Sequence, residues 1–263
     1  MKYKFEKVDF LLNKITNKDN LFRGNYTIEP YQNCEFGCLY CDSSYDQTIN
    51  IKINAADILE KEIKKVKKGT IIVGSVNDAY QNAEKKYKIT RELLRIIEKN
   101  NFPCHILTKT DLVLRDIDIL RKINNCNVTL SLTSLNNSIS KTFENKVPTT
   151  KIRLQAIKSF NKKGIKSGLA IIPIIPYLVE DELQEIVKCA KNYDAQYILH
   201  KYLELKGDQK SCFIDIINKY YPNISKKIQK LYEDSYMPKD DYIFNINNKM
   251  KSLCNFYNIS DKI

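Results

Sequence analysis

The sequence predicts an α/β fold, a partial (β/α)6 barrel of the TIM type carrying a helical C-terminal extension. Short β-branched apolar runs alternate with amphipathic helical segments six times across residues 25–200, the pattern of a parallel sheet with right-handed crossovers. From Lys201 onward the pattern becomes mainly helical. The 263 residues are 43% hydrophobic and 28% charged, with only 7 Gly and 7 Pro, which excludes disordered and collagen-like chains. The expected division is an N-terminal segment (1–24), the barrel (25–200) and the helical extension (201–263).

Each element follows from its local pattern. Residues 1–24 are polar and irregular, with a short helix expected over Val8–Leu12. Asn25–Tyr31 is short and β-compatible and runs directly into a cysteine cluster. A helical pattern over Ala55–Lys68 meets Gly69, a residue that stops helices readily. Thr70-Ile71-Ile72-Val73-Gly74-Ser75 is continuously apolar and β-branched over its centre, as a strand buried on both faces must be. Thr90 is placed to cap a helix over Arg91–Asn100, with Leu93, Leu94, Ile96 and Ile97 on its apolar face. Strands over Pro103–Leu107, Asn127–Leu132, Ser167–Ile172 and Gln196–Leu199 then alternate with helices over Asp111–Ile123, Thr150–Lys163 and Asp181–Asn192. Chemistry on such a barrel lies at the C-terminal ends of the strands.

Charge narrows the partners. Lys plus Arg is 43 against 31 Asp plus Glu, a net charge of +12, which invites a nucleic-acid reading. Only 6 of those cations are Arg, however, and Arg is the side chain that forks onto phosphates and guanine edges. Runs such as Lys61-Glu62-Ile63-Lys64-Lys65-Val66-Lys67-Lys68 read as solvated helix faces, so nucleic acid is possible as a partner but not favoured. No apolar run approaches the ~20 residues of a membrane span. The opening Met1-Lys2-Tyr3-Lys4-Phe5-Glu6 lacks the apolar stretch of a secretory signal. A cytoplasmic protein with no membrane partner is expected.

Of the 8 cysteines, Cys34, Cys38 and Cys41 fall within eight residues while the others are scattered. In a cytosolic chain this points to metal or redox chemistry rather than disulfides. The C-x3-C-x2-C spacing can grip three corners of a [4Fe-4S] cluster and leave one iron open. Zinc would want a fourth local Cys or His, and neither His105 nor His200 is near in sequence. His105, within an apolar strand, reads as a satisfied core histidine.

Glu29-Pro30-Tyr31-Gln32-Asn33 leads into Cys34-Glu35-Phe36-Gly37-Cys38-Leu39-Tyr40-Cys41. On these residues the chain resembles the radical S-adenosylmethionine (SAM) superfamily, and more closely its branch containing spore photoproduct lyase. Further matching blocks, in order, are Asp78–Glu84, Thr90-Arg91, Leu107–Thr110, Leu112–Asp116, Ser131–Thr133, Arg153-Leu154 and Ile172–Pro176. Residues 201–263 match nothing recognisable. The resemblance implies a [4Fe-4S] cluster whose open iron binds SAM, an external electron donor such as flavodoxin or ferredoxin, and cleavage of SAM to a 5′-deoxyadenosyl radical.

Carried over residue by residue, the resemblance makes Cys34, Cys38 and Cys41 the cluster ligands. Tyr40 is then expected on the adenine side of SAM. Asn77, Lys109 and Ser131, each near the end of a strand, are expected as polar SAM contacts, Lys109 toward its carboxylate. Spore photoproduct lyase carries a hydrogen-donating cysteine near the end of the second strand. Here the sequence reads Gly74-Ser75-Val76-Asn77, and a serine O–H bond is too strong for that role. Asp42-Ser43-Ser44 also replaces the family's usual Tyr-Ala-Arg. Asp42, Asp78 and Glu84, with Tyr80 stacking, are candidates to hold a guanine-like edge. The expected enzyme is a radical SAM lyase acting on a small, modified purine-like base, and the queuine lyases, which recover a queuosine precursor, are one group it resembles. The rival enzyme reading is a nucleic-acid repair lyase. The non-enzyme rival is a metal- or cluster-bearing nucleic-acid-binding protein.

Overall fold

The computed structural model describes residues 1–44 and 46–263, with Ser44 described by its backbone alone. Six strands pair in chain order, all parallel: Tyr26–Ile28, Ile71–Val73, Cys104–Thr108, Cys126–Leu132, Lys166–Ile174 and Ile198–Tyr202. They are the first to sixth barrel strands. Asn13–Lys14 adds a short antiparallel edge beside the first. Sequential parallel order with helical returns makes this an open, partial (β/α) barrel. The second strand is wholly buried, as its unalternating Ile-Ile-Val demands.

Helices Ala55–Glu62, Ile89–Lys99, Thr150–Lys162 and Leu183–Asn192 form the main outer returns. Several boundaries differ from the sequence reading for local reasons. The helix from Ala55 ends at Glu62 and tightens into a 3-10 turn over Ile63–Lys65. Gly69 is no helix cap: a Cβ there would stand 2.7 Å from the Asn25 side chain, so the residue permits close approach of two segments. Thr90 lies inside its helix, and the Glu84 carboxylate performs the capping, accepting from the backbone N–H groups of Thr90 (2.9 Å) and Arg91 (3.2 Å). The Asp111–Ile123 segment is mainly a 3-10 helix, with an α-helix only over Ile117–Leu120.

Val8–Leu12 is not helical. Its N–H groups go to side chains, Val8 to Asn54 and Leu11 and Leu12 to Glu62, which satisfies the backbone without a helix. Two elements went unforeseen. Lys2–Glu6 pairs with Thr48–Lys52, which also pairs with Tyr31–Gln32, forming a second, three-stranded sheet. Asn137–Phe143 is an extra helix whose N–H groups are capped by Asn136. Helices Gln209–Tyr220, Pro222–Leu231 and Asp240–Phe256 make up the C-terminal extension. Among the described residues no helix is long and apolar enough to cross a membrane.

His105 is fully buried, with Nε2 2.6 Å from the Thr129 hydroxyl and Nδ1 3.4 Å from the Phe22 carbonyl. Burial pushes its pKa down to about 4. The unfolded chain therefore takes up the proton first on acidification, and stability is lost as pH falls from 6.5 toward 4. This linkage is worth about 3 kcal/mol. Urea unfolding at pH 7, 5.5 and 4.5 should show it, and His105→Gln should remove that part of the slope.

Candidate active site

The cysteine loop leaves the first barrel strand and is held from several sides. The Glu29 carboxylate accepts from the Ser75 hydroxyl (2.8 Å) and from the Val76 and Asn77 N–H groups (3.0 Å each), tying the loop to the end of the second strand. Gln81 takes the Glu35 N–H at 2.9 Å and returns a bond to the Asn33 carbonyl at 3.0 Å. Within the loop the Cys41 N–H reaches the Cys38 carbonyl, and Leu39 N–H reaches Phe143. From the C-terminal extension, Gln209 donates to the Tyr40 carbonyl.

A cavity of about 350 Å³ opens at the C-terminal ends of the strands. Cys34, Cys38, Cys41, Tyr40, Asp42, Asp78, Lys109 and Ser131 all line it. Gly74 lies at its edge with φ +78, and a Cβ there would press to 2.9 Å on the Ala79 backbone nitrogen, so this turn needs glycine. Burial pushes the Cys34 thiol up to about 12 and raises Cys38 as well. Burial alone would lower the Lys109 ammonium, but the neighbouring Cys38, Glu144, Asp78 and Cys41 groups outweigh it and raise it. Its Nζ lies 5.9 Å from the centre of the Tyr40 ring. Lys109 is thus a cation held beside the thiols at neutral pH.

Behind the cavity wall runs a buried clamp that the sequence did not disclose. The Tyr40 hydroxyl donates to Glu144. Thr133 donates to the same carboxylate at 2.8 Å, and Arg153 pairs with it at 2.7 Å while also bonding the Ser131 carbonyl at 2.8 Å. Arg153 is 0% and Glu144 2% exposed. Burial would raise the Glu144 carboxyl, but Arg153 and Lys109 outweigh it and hold it low. Arg153 and Thr133 belong to the matching sequence blocks, yet Glu144 carried no signal.

The remaining candidates divide. Asp78 reaches the cavity, but its oxygens accept from Tyr80 N–H (2.9 Å), the Thr108 hydroxyl (2.7 Å) and Lys109 N–H (2.7 Å). It fastens the second strand's loop to the third. Asn77 is buried and does not line the cavity; Ser75 and Val76 do. Tyr80 and Glu84 also lie away from it. Tyr80 donates to Asp116 at 3.1 Å, while Glu84 accepts from Tyr31 and Arg115, both at 2.5 Å, besides capping its helix. Those side chains are consumed by a buried ion-pair network and leave no edge for a substrate. Asp42 and Ser43 line the cavity, and the side chain of Ser44 lies outside the described ones. Lys201 and Tyr202 at the end of the sixth strand, and Glu204 and Lys206 just beyond it, also line the cavity, with Glu204 paired to Lys201 at 2.6 Å and Lys206 at 3.1 Å. His200 turns instead to Asn247.

Among the described residues, no three His, Cys, Asp or Glu side chains converge closely enough to chelate one ion. Zn–S bonds of about 2.3 Å would bring thiolates within roughly 4 Å of one another. The three thiols line one cavity, at the C-x3-C-x2-C spacing that can hold three corners of a [4Fe-4S] cluster, with Lys109 at hand for an anionic group. The residues present fit a [4Fe-4S] cluster and SAM.

Comparison with known proteins agrees. The model of the Radical SAM superfamily matches residues 28–190. An uncharacterized protein of Methanocaldococcus jannaschii is 31% identical over 233 residues, covering 84% of this chain and 86% of its own. One from Mycobacterium tuberculosis is 24% identical over 249 residues, covering 86% and 73%. Spore photoproduct lyase complexed with dinucleoside spore photoproduct superposes with a TM-score of 0.72 at 15% identity, covering 97% of this chain and 79% of that one. Streptococcus suis SuiB bound to S-adenosylmethionine gives 0.55 at 18% identity, covering 76% and 47%. At such identities the structural likeness speaks for the fold, while the family match runs from the end of the first barrel strand into the helix before the sixth. The chain belongs to the Radical SAM superfamily, enzymes that use a [4Fe-4S] cluster and SAM.

Proposed function

We propose that the protein is a radical SAM lyase acting on a small nucleobase-type substrate, with queuine, cleaved to a queuosine precursor, as the candidate. The observation that supports this reading is a strand-end cavity lined together by the three cysteines, Lys109 and Asp42. Its volume, about 350 Å³, suits small molecules. Cys34, Cys38 and Cys41 would hold the cluster. When bound, cluster and SAM together supply a 5′-deoxyadenosyl radical for hydrogen abstraction.

The chain's own residues do the positioning. Lys109 would meet the SAM carboxylate, Ser131 would offer its hydroxyl, and the Tyr40 ring would pack beside the adenine. Removing a charge-assisted contact from a partly buried carboxylate costs on the order of 1.5–3 kcal/mol. Lys109→Ala should therefore weaken SAM binding about tenfold or more, read by calorimetry on protein whose iron content is unchanged. Unaltered SAM affinity would contradict the assignment.

Of the three acids weighed for the substrate, Asp42 alone keeps a carboxylate at the cavity without a buried network consuming it. Its Oδ1 accepts only from its sequence neighbours, from the Ser43 N–H at 2.8 Å and hydroxyl at 3.5 Å and from the Cys41 thiol at 3.9 Å, among the described residues. Such a group suits the paired N–H donors of a guanine-type edge. Asp42→Asn should lower substrate affinity about tenfold, the worth of one charge-assisted hydrogen bond, and leave SAM affinity unchanged.

A repair reading, by analogy with spore photoproduct lyase, is favoured by the likeness spanning nearly the whole chain. Against it, Ser75 stands where a hydrogen-donating thiol is wanted, and its hydroxyl is bound to Glu29. Substrate-dependent release of 5′-deoxyadenosine, comparing queuine, guanine and a damaged-DNA oligonucleotide, separates the two. Stimulation by the oligonucleotide alone would assign the chain to repair.

A further inference from the structure

We propose that the groove on the outer side of the cysteine loop is the docking face of a small acidic one-electron carrier protein of the flavodoxin or ferredoxin class. The proposal rests on the functional reading above, which requires an electron from outside, and it adds where that electron enters. Phe36, Lys85, Asp111 and Lys146 help line a groove of about 500 Å³ that is separate from the strand-end cavity. Phe36 lines both spaces and is 3% exposed. This buried aromatic residue therefore borders both the groove and the cavity that the three thiols line.

The neighbouring residue thins the barrier further. Gly37 has φ +61, and a Cβ built there would lie 3.5 Å from the Lys146 Nζ. The Lys146 ammonium thus stands over the loop backbone with no side chain between them, immediately before Cys38. Charge selects the partner. Lys85 and Lys146 are exposed, and neither is paired with a carboxylate among the described residues. Lys86 and Lys88, also exposed, flank Lys85 in sequence, and Asp111 is the one acid in the groove. An anionic protein face complements this surface and is steered to it. A nucleic acid is favoured less, since the groove contains no Arg for bidentate phosphate contacts. In each productive encounter a flavin carrier passes from the anionic hydroquinone to the neutral semiquinone, releasing one electron to the cluster and no proton.

The test uses the full chain with its cluster reconstituted anaerobically, a bacterial flavodoxin as the probe, and the double variant Lys85→Glu/Lys146→Glu. The double variant should bind flavodoxin at least tenfold more weakly at 50 mM salt, and bleaching of the cluster absorbance by flavodoxin hydroquinone should slow at least tenfold. Reduction by dithionite and SAM affinity should not change. The reversal Lys219→Glu/Lys226→Glu on the C-terminal helices controls for net charge and should leave flavodoxin binding within twofold. Flavodoxin affinity unaltered by the groove reversal, or equally weakened by the control, would overturn the proposal. So would loss of oligonucleotide binding in the groove variant while flavodoxin still binds. If the parent chain takes up no cluster, the functional reading fails instead, and flavodoxin affinity of the cluster-free chain still tests the docking face.

Discussion

Converting Cys34, Cys38 or Cys41 to Ala, one at a time, is expected to take the reconstituted protein from about four irons and four sulfides per chain to background. Release of 5′-deoxyadenosine should vanish with them. All three thiols line one cavity, and no other cysteine among the described residues lines it. Cys104 and Cys126 open the third and fourth strands, at the end of the barrel opposite the cavity. The loop should survive each change, because Glu35, Gln81 and Gln209 hold it through bonds independent of sulfur. Circular dichroism should therefore match the parent, and Cys212→Ala should load iron normally. Zinc retained stoichiometrically through anaerobic purification, with no cluster uptake, would contradict the assignment.

Arg153→Met should be the most destabilising single change in the barrel, costing about 3–5 kcal/mol, the range for breaking a buried pair. Arg153 and Glu144 are both fully buried side chains in a 2.7 Å ion pair. Removing the guanidinium leaves the carboxylate with the hydroxyls of Tyr40 and Thr133 and the weaker attraction of Lys109, too little to offset its desolvation. Burial would then dominate and raise the Glu144 carboxyl above its unfolded value. The folded variant would bind the extra proton, so its deficit against the parent should shrink as pH falls through that raised pKa. Urea unfolding at pH 7 and pH 5 measures both effects. The double variant Glu144→Gln/Arg153→Met, which removes both charges, should recover a large share of the loss. A cost below 1 kcal/mol for Arg153→Met would show that the clamp matters little.

The second strand was legible because a parallel strand buried on both faces is apolar and β-branched, as Ile71-Ile72-Val73 is; Val128–Leu132 alternates apolar residues with Thr129 and Ser131, although the structure buries both of its faces. The small second sheet was not legible. Lys2–Glu6 is almost wholly exposed, so no alternation marks it, and its partner Thr48–Lys52 is separated from it by the entire cysteine loop. At the site, the cysteines stood out by their spacing, while Asn77, Lys109 and Ser131 came from the family resemblance; of these, Lys109 and Ser131 line the cavity with the cysteines and Asn77 does not. Glu84 misled because nearness in sequence to a strand end does not say which way a side chain points; its partners Tyr31 and Arg115 lie 53 and 31 residues away. The cavity-lining Glu204, Lys206 and Gln209 fall at the start of a segment whose pattern says only that it is helical.

The most direct test of the whole account is the fate of SAM. Reconstituted protein, given SAM, dithionite and queuine under anaerobic conditions, should release 5′-deoxyadenosine together with methionine, at least tenfold faster than without queuine and faster than with guanine. Protein that loads its iron and binds SAM, yet releases no 5′-deoxyadenosine with any of queuine, guanine or a damaged-DNA oligonucleotide, would contradict it.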